Sequence, residues 1–477
     1  PILVKPNSVK KTTLQPKLLS VEQSFVAQKS ILAWGGSGRA EFADIYADKN
    51  NNVYACGLLR ENTRFNDTLL EKKGLIDGFL IKYNSTGKIL WVRQLPGYNF
   101  PGYISNNIVK VSKVRTDNNG NVYILGNFQK HLTLPTLNVT SQGKDDLFLI
   151  KYDSEGNFIW CRTSNCPHAS AYAFGTALGI CSNGDVVVAG FFYNTINLGG
   201  SSFNATGNTD IFIGVFNSSG TFISLKKSDG LGIEECNDLA VDSKDNVYLT
   251  GRFVGGGLAF GNSIIDDSNP IGDPNYQDFF LAKYNVLDKS WVWALNEGVS
   301  NGEETGKSVC IDSEDNIYAT GFCNGFGNIP YDQGRKAFIV KYNSNKSKIW
   351  EKTLNKPITT SGFSVGRGIY CDSKNNVCIM GEFHGKINLN NETSLDAIFT
   401  NGDQSDIFLV KYDKLGQLLN YRSFGATTFD LGVGLKYSNN GALYLVSENG
   451  FDLNFENPIL YNNLPLQTPT IIKLTDF

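Results

Sequence analysis

One phrase, returning at near-regular intervals, restricts what this chain can fold into more than any other feature. It reads Asn52-Val53-Tyr54-Ala55-Cys56-Gly57, then recurs as Asn121 to Gly126, Asp185 to Gly190, Asn246 to Gly251, Asn316 to Gly321 and Asn376 to Gly381. A degraded copy runs from Ala442 to Ser447, and successive copies lie 60 to 70 residues apart. A second phrase follows each copy: Asp77 to Tyr83, Asp146 to Tyr152, an altered Asp210 to Phe216, Asp278 to Tyr284, Ala337 to Tyr342, Asp406 to Tyr412, and a decayed Thr470 to Leu474. After a tight turn comes a third, often ending in Trp91, Trp160, Trp293 or Trp350, with Ser224 and Asn420 in that place in the third and sixth copies. A fourth run precedes each first phrase, as in Leu239 to Asp242.

Each copy thus holds four β-rich runs of strand length bounded by Gly, Asn and Asp. A four-strand unit at this period is the signature of a β-propeller blade. The third phrase is one copy short of seven, and Ser30-Ile31-Leu32-Ala33-Trp34 reads as an outer strand with no blade before it. The expected fold is therefore all-β: a seven-bladed β-propeller of four-stranded blades over residues 29–477. An N-terminal outer strand, from about residues 30–35, joins the last blade and closes the ring, which removes a free sheet edge. Residues 1–28 lie outside it. Their Lys5, Lys10, Lys11 and Lys17, with Pro6 and Pro16 and no Gly, suit an arm that lies along its own ring or docks on a larger assembly.

The phrases resemble the SBBP-type β-propeller repeat, roughly D-x-x-G-N-V-Y-V-T-G followed by D-x-F-x-x-K-Y/L and a Trp. Asn246 to Gly251 with Asp278 to Tyr284 and Trp293 matches it closely. The resemblance spans about residues 30–477 and implies a bacterial, exported or cell-surface protein, without common catalytic residues. Neither the Gly-His…Trp-Asp pair of WD repeats nor the Ser-x-Asp-x-Gly-x-Thr-Trp box of sialidases is found.

Composition narrows the function classes. With 43 basic and 46 acidic residues, there is no electrostatic case for nucleic acid or acidic membranes. The longest apolar run, Val186 to Tyr193, is far short of a membrane-spanning helix. The Asp/Asn-rich turns, such as Asp242-Ser-Lys-Asp245, lack a full calcium-loop spacing and read as Asx-turns. No Cys/His spacing suggests zinc, and no cofactor is expected. The nine cysteines mostly take apolar strand positions, as small hydrophobes do; Cys161 and Cys166 are the local pair that could bridge. His131, His168 and His384 fall between strands of three different copies, where no nucleophile partner is evident.

In a repeat protein the shared residues build the scaffold and the departures carry function. The long connections, from second to third strand and from blade to blade, fall on one face, so a ligand site belongs at that mouth. The candidate binding residues there are Arg39, Glu41, Tyr103, Tyr172, Glu234, Glu235, Asn237, Glu303, Glu304 and Arg367, with the insertion 255–277 adding Asp266, Asp267, Asp273 and Tyr276. Carboxylates, amides and aromatics together suit a glycan or a protein ligand. The expectation is a non-catalytic, exported binding or adhesion propeller. The rival readings are a structural subunit assembled through residues 1–28, and a polysaccharide-active enzyme using Glu234 or Glu235 with Glu303 or Glu304 as its paired carboxylates.

Overall fold

A computed structural model describes residues 30–33, 39–65, 68–97, 107–267, 276–299, 302–325, 334–354, 362–397, 405–424, 432–447, 470–474 and 477. Residues 1–28, Tyr103 and Asp273 lie outside these. The described residues contain strands and no helix, so no helix is long and apolar enough to cross a membrane.

The four-stranded unit recurs around a ring. Its inner strands follow one another as Ala40–Ala47, Ile108–Thr116, Tyr172–Ile180, Ile233–Val241, Thr305–Ile311, Phe363–Cys371 and Gly432–Tyr437, and the last packs back against the first. We number the units one to seven in that order. Counted as hydrogen-bonded sheets, however, the propeller has six members, not the seven separate blades expected. The cause is in unit three, whose second and third strands, Val186–Leu198 and Ser201–Phe216, run to 13 and 16 residues. A parallel bridge joins the start of the third strand to the next inner strand at Ile76–Ile108, Asp145–Tyr172, Thr209–Ile233 and Gln277–Glu303; in unit three the long third strand runs through it, so units three and four count as one eight-stranded sheet. The N-terminal strand Ser30–Ala33 lies antiparallel to Thr470–Leu474, with Ser30 opposite Lys473, and supplies the outer strand of unit seven.

The recurring phrases can now be read as structure. Each inner strand carries a bulge before its second half: the register skips Ala43, Ser112, Thr176, Asn237, Lys307, Arg367 and Val433. The bulge presses a carbonyl of the inner strand onto the glycine that ends the Asn-Val-Tyr phrase. A Cβ at Gly251 would sit 1.8 Å from the Glu235 carbonyl oxygen, and one at Gly321 1.8 Å from that of Thr305. Only glycine leaves that space, which is why the phrase ends as it does.

Where an Asp opens the turn, its carboxylate closes it by hydrogen bonds. Asp242 accepts from the backbone N–H groups of Lys244 (2.9 Å) and Asn246 (2.8 Å), from Asn246 Nδ2 (2.8 Å) and from Tyr248 Oη (3.1 Å). Asp48, Asp117 and Asp312 repeat the pattern with Tyr54, Tyr123 and Tyr318. Where unit three has Cys181 for the Asp, it also has Val187 for the Tyr. Among the described residues no group of three His, Cys, Asp or Glu is placed to hold a metal.

The Lys-Tyr phrase binds one unit to the next. Lys82 Nζ donates to the Ser154 carbonyl (2.8 Å), Lys151 to Ser218 (2.8 Å), Lys341 to Lys414 (3.1 Å) and Lys411 to Phe477 (2.7 Å). Lys473 makes the same bond from unit seven to unit one at Ser85 (2.8 Å). The outer-strand tryptophans reach the same acceptors, Trp91 at Ser154 (3.1 Å) and Trp350 at Lys414 (3.1 Å). The core lies between neighbouring units; one cluster joins Ala442, Tyr444 and Ile471 of unit seven to Ile45, Ala55 and Phe79 of unit one.

Candidate functional site

The bulge residue is the one inner-strand side chain that the pleat does not assign to either face, and the seven units differ there. Thr176 Oγ1 donates to the Cys236 carbonyl (2.6 Å) and Asn237 Nδ2 to the Gly306 carbonyl (2.7 Å), each spanning to the next inner strand. Lys307 and Arg367 hold the corresponding places in units five and six. The residue after the conserved glycine also varies: Leu58, Asn127, Phe191, Arg252, Phe322 and Glu382.

In units four to six, five of these six residues, Arg252, Lys307, Phe322, Arg367 and Glu382, converge on a cavity of about 280 Å³ at the channel mouth. Its polar lining is Glu235, Arg252, Gln277, Glu303, Thr305, Lys307, Arg335, Arg367 and Glu382, over the side chains of Phe322 and Val365. Glu235 takes both Arg252 Nε (2.8 Å) and Nη2 (2.9 Å) in a fork. Glu303 does the same for Arg335 (3.1 and 2.6 Å). Arg367 Nη2 donates to Glu382 Oε1 (2.7 Å). Two-point pairing fixes the guanidinium planes of Arg252 and Arg335. Gln277 accepts from Arg252 and donates to Thr305 Oγ1 (2.7 Å). Arg335 lies over the Phe322 ring, 4.6 Å from its centroid, with Lys307 Nζ at 5.8 Å. Burial, then the charges of Arg367 and Arg252, push the Lys307 amine down to about 8.

Of the candidates named from sequence, Glu235, Glu303 and Arg367 are brought together here. The others are not. Asn237 is occupied by its bond to the next unit. Glu234 and Glu304, each one residue from a mouth carboxylate, point the opposite way along their segments and are buried (1% and 0% exposed). Glu234 Oε1 accepts from Gly232 N (3.2 Å), and Glu304 Oε1 from Gly325 N (3.1 Å). Burial, reinforced at Glu234 by Asp210, raises Glu234 to about 9; burial raises Glu304 to about 8. Both are therefore protonated at neutral pH and neither lines the cavity. Glu41 is forked to Arg60, with Arg39 at 3.7 Å, in unit one. Tyr172 stacks on Tyr193 at 5.3 Å. Asp267 accepts from Gly255 N (2.8 Å) and shapes its own loop. Arg252, Lys307, Phe322, Arg335 and Glu382 were missed. For four of them the signal was present: variable positions beside the recurring glycine or opposite it on the inner strand.

Below the mouth, the inner strands line a channel cavity of about 580 Å³. Lys113 of unit two reaches across to Asp238 of unit four (3.2 Å), Arg115 pairs with Asp44 (2.6 Å), and Lys436 Nζ sits between the rings of Tyr46 (4.5 Å) and Tyr370 (4.2 Å). Cys161 and Cys166, the local pair that could bridge, are free thiols, as are all nine cysteines. The sulfurs that do meet are Cys310 and Cys371, on adjacent inner strands, 2.7 Å apart.

Fold and mouth together define a β-propeller with a rigid, charge-paired polar pocket at one end of its channel. No family model matches the chain. It is similar to an uncharacterized WD repeat-containing protein of Acanthamoeba polyphaga mimivirus, 24% identical over 280 residues, covering 51% of this chain and 19% of that protein. It is also similar to the regulatory protein FlaEY of Caulobacter vibrioides, 26% identical over 284 residues, covering 53% and 28%. The chain thus spans between about a fifth and three-tenths of the length of these relatives. Among solved structures, virginiamycin B lyase from Staphylococcus aureus superposes with a TM-score of 0.45 at 9% identity, over 94% of this chain and 100% of that one. An ulvan lyase gives 0.46 at 11% identity, over 87% and 92%.

Proposed function

We propose that this chain is a non-catalytic binding propeller that recognises a glycan or protein ligand at the mouth formed by units four to six, on an exported or cell-surface protein. The observation that carries this reading is the convergence of variable positions of three successive units on one polar cavity, where forked carboxylates hold Arg252 and Arg335 in place and a single bond to Glu382 holds Arg367. A pre-organised polar lining loses little freedom on binding, which favours recognition. A binding role is supported over a catalytic one by how the carboxylates divide. Those facing the cavity are paired to arginine, and those that hold a proton at neutral pH face away from it. A glycosidase-type acid needs both properties in one group. The export reading is supported by the resemblance of the repeats alone.

The test is a binding screen of the whole chain against immobilised glycans and against surface proteins, repeated with Arg335→Ala. Saturable binding that weakens in the variant supports the reading. Turnover of a polysaccharide that disappears in Glu235→Gln or Glu303→Gln would replace it with an enzyme.

A further inference from the structure

The mouth pocket carries an uneven charge count. Arg252, Arg335 and Arg367 are each matched by a glutamate, Glu235, Glu303 and Glu382. Lys307 is the fourth cation, and among the described residues its ammonium has neither an ion pair nor a hydrogen bond. It holds the bulge position at which Thr176 and Asn237 bond to the next unit's carbonyl, so the surplus charge faces the cavity. Two more groups point to a ligand of defined chemistry. Arg367 Nε is a buried donor with no acceptor, and Glu382 Oε2 is a buried acceptor with no donor on a side chain that is 4% exposed. A buried polar atom left so is destabilising unless something supplies its partner.

A ligand that answers all three brings one negative charge, an acceptor toward Arg367 and a hydroxyl donor toward Glu382. A dianion is disfavoured, because three glutamates line the same space. An acidic side chain brings the carboxylate without the hydroxyl, and a neutral sugar brings hydroxyls without the charge. A hexuronate unit carries both on one ring. The volume equals that of about nine waters, enough for a single pyranose.

We propose that this pocket receives one uronate residue of an acidic polysaccharide, its carboxylate at Lys307 and Arg367 Nε and a ring hydroxyl donating to Glu382 Oε2. The inference rests on the glycan-binding reading above and narrows it. The experiment is calorimetric titration of the whole chain with a galacturonate trisaccharide and a glucuronate-containing disaccharide. Maltotriose serves as the neutral sugar and a glutamate tripeptide as the acidic non-sugar. The uronates are expected to bind saturably. Lys307→Met should weaken them by about tenfold or more with the thermal melt unchanged, and Lys307→Arg should restore most of the affinity. Affinity should also fall as pH rises through about 8, where the amine loses its proton in a lining it shares with Arg252, Arg335, Arg367, Glu235, Glu303 and Glu382. Uronate affinity indifferent to Lys307→Met, or matched by maltotriose, overturns the uronate site and leaves glycan binding standing. Binding of the tripeptide with none of any sugar overturns both.

Discussion

Replacing Glu234 by Gln should stabilise the propeller in mildly alkaline solution and leave it nearly unchanged in mild acid. The carboxyl is fully buried, one oxygen accepting from Gly232 N–H and the other without a partner. Burial and the neighbouring Asp210 raise it from 4.5 to about 9. Between those values the fold binds a proton that the unfolded chain has released. Stability contributed by this proton is therefore full below about 4.5 and is lost progressively as pH rises to about 9. With those two end values, linkage amounts to under about 1 kcal/mol at pH 5 and at most about 4–5 kcal/mol at pH 8. Gln keeps the acceptor for Gly232 and does not titrate, so the variant should escape the alkaline loss. For 477 residues the unfolding entropy is about 1 kcal/mol per degree, so a gain of about 3 kcal/mol appears as a rise of about 3 °C. Denaturant and thermal melts of both proteins at pH 5 and pH 8 read it directly. An equal gain at both pH values, or a loss at both, would refute the reasoning, since either says that no buried proton is exchanged.

Three further outcomes follow from other contacts. Asp242→Ala removes the acceptor of four hydrogen bonds and strands the buried Tyr248 hydroxyl; a loss of about 3 kcal/mol is expected, and Asp242→Ala with Tyr248→Phe should lose less than the two single changes added. Lys82→Met deletes the inter-unit bond to the Ser154 carbonyl, and hydrogen exchange should quicken in the 153–157 turn of unit two, not in unit one's own turns. Treatment with diamide should consume two of the nine thiols as one Cys310–Cys371 disulfide. Peptide mapping and its absence in Cys310→Ser check this, and a bridge at Cys161–Cys166 would count against the geometry.

The fold was legible because the scaffold residues repeat. The Gly of the Asn-Val-Tyr phrase, the Asp of the turn and the Lys of the third strand are dictated by contacts that most units make, so they recur and can be counted, with Cys181, Val215, Ser438 and Ser447 as the departures. The fusion of units three and four was not legible, because the parallel bridge between them, Thr209–Ile233, has counterparts at Ile76–Ile108, Asp145–Tyr172 and Gln277–Glu303, and what sets unit three apart is only a third strand long enough to include it. The site was half legible. Glu235, Glu303 and Arg367 sit in the connections and inner strands where a mouth was expected. Their neighbours Glu234 and Glu304 were chosen with them because adjacent residues share a loop in sequence, whereas alternation sends them to opposite sides. Asn237 and Lys307 hold the same bulge position, and only the first was chosen. Whether a bulge side chain bonds to the next strand or faces the cavity is decided by reach and chemistry. An amide is short enough to meet Gly306; a lysine is not held there.

The pairing of Ser30–Ala33 with Thr470–Leu474 also sets an order of assembly. Units one to six are each built from one contiguous stretch of chain, and can form as soon as that stretch has been synthesised. Unit seven joins segments more than four hundred residues apart, and bringing them together costs about 5 kcal/mol of chain entropy. It is the last step, and until it happens Thr470–Leu474 presents an unpaired edge. At high concentration a second molecule's leading strand competes for that edge. Dilution during refolding therefore favours closed rings over strand-exchanged dimers.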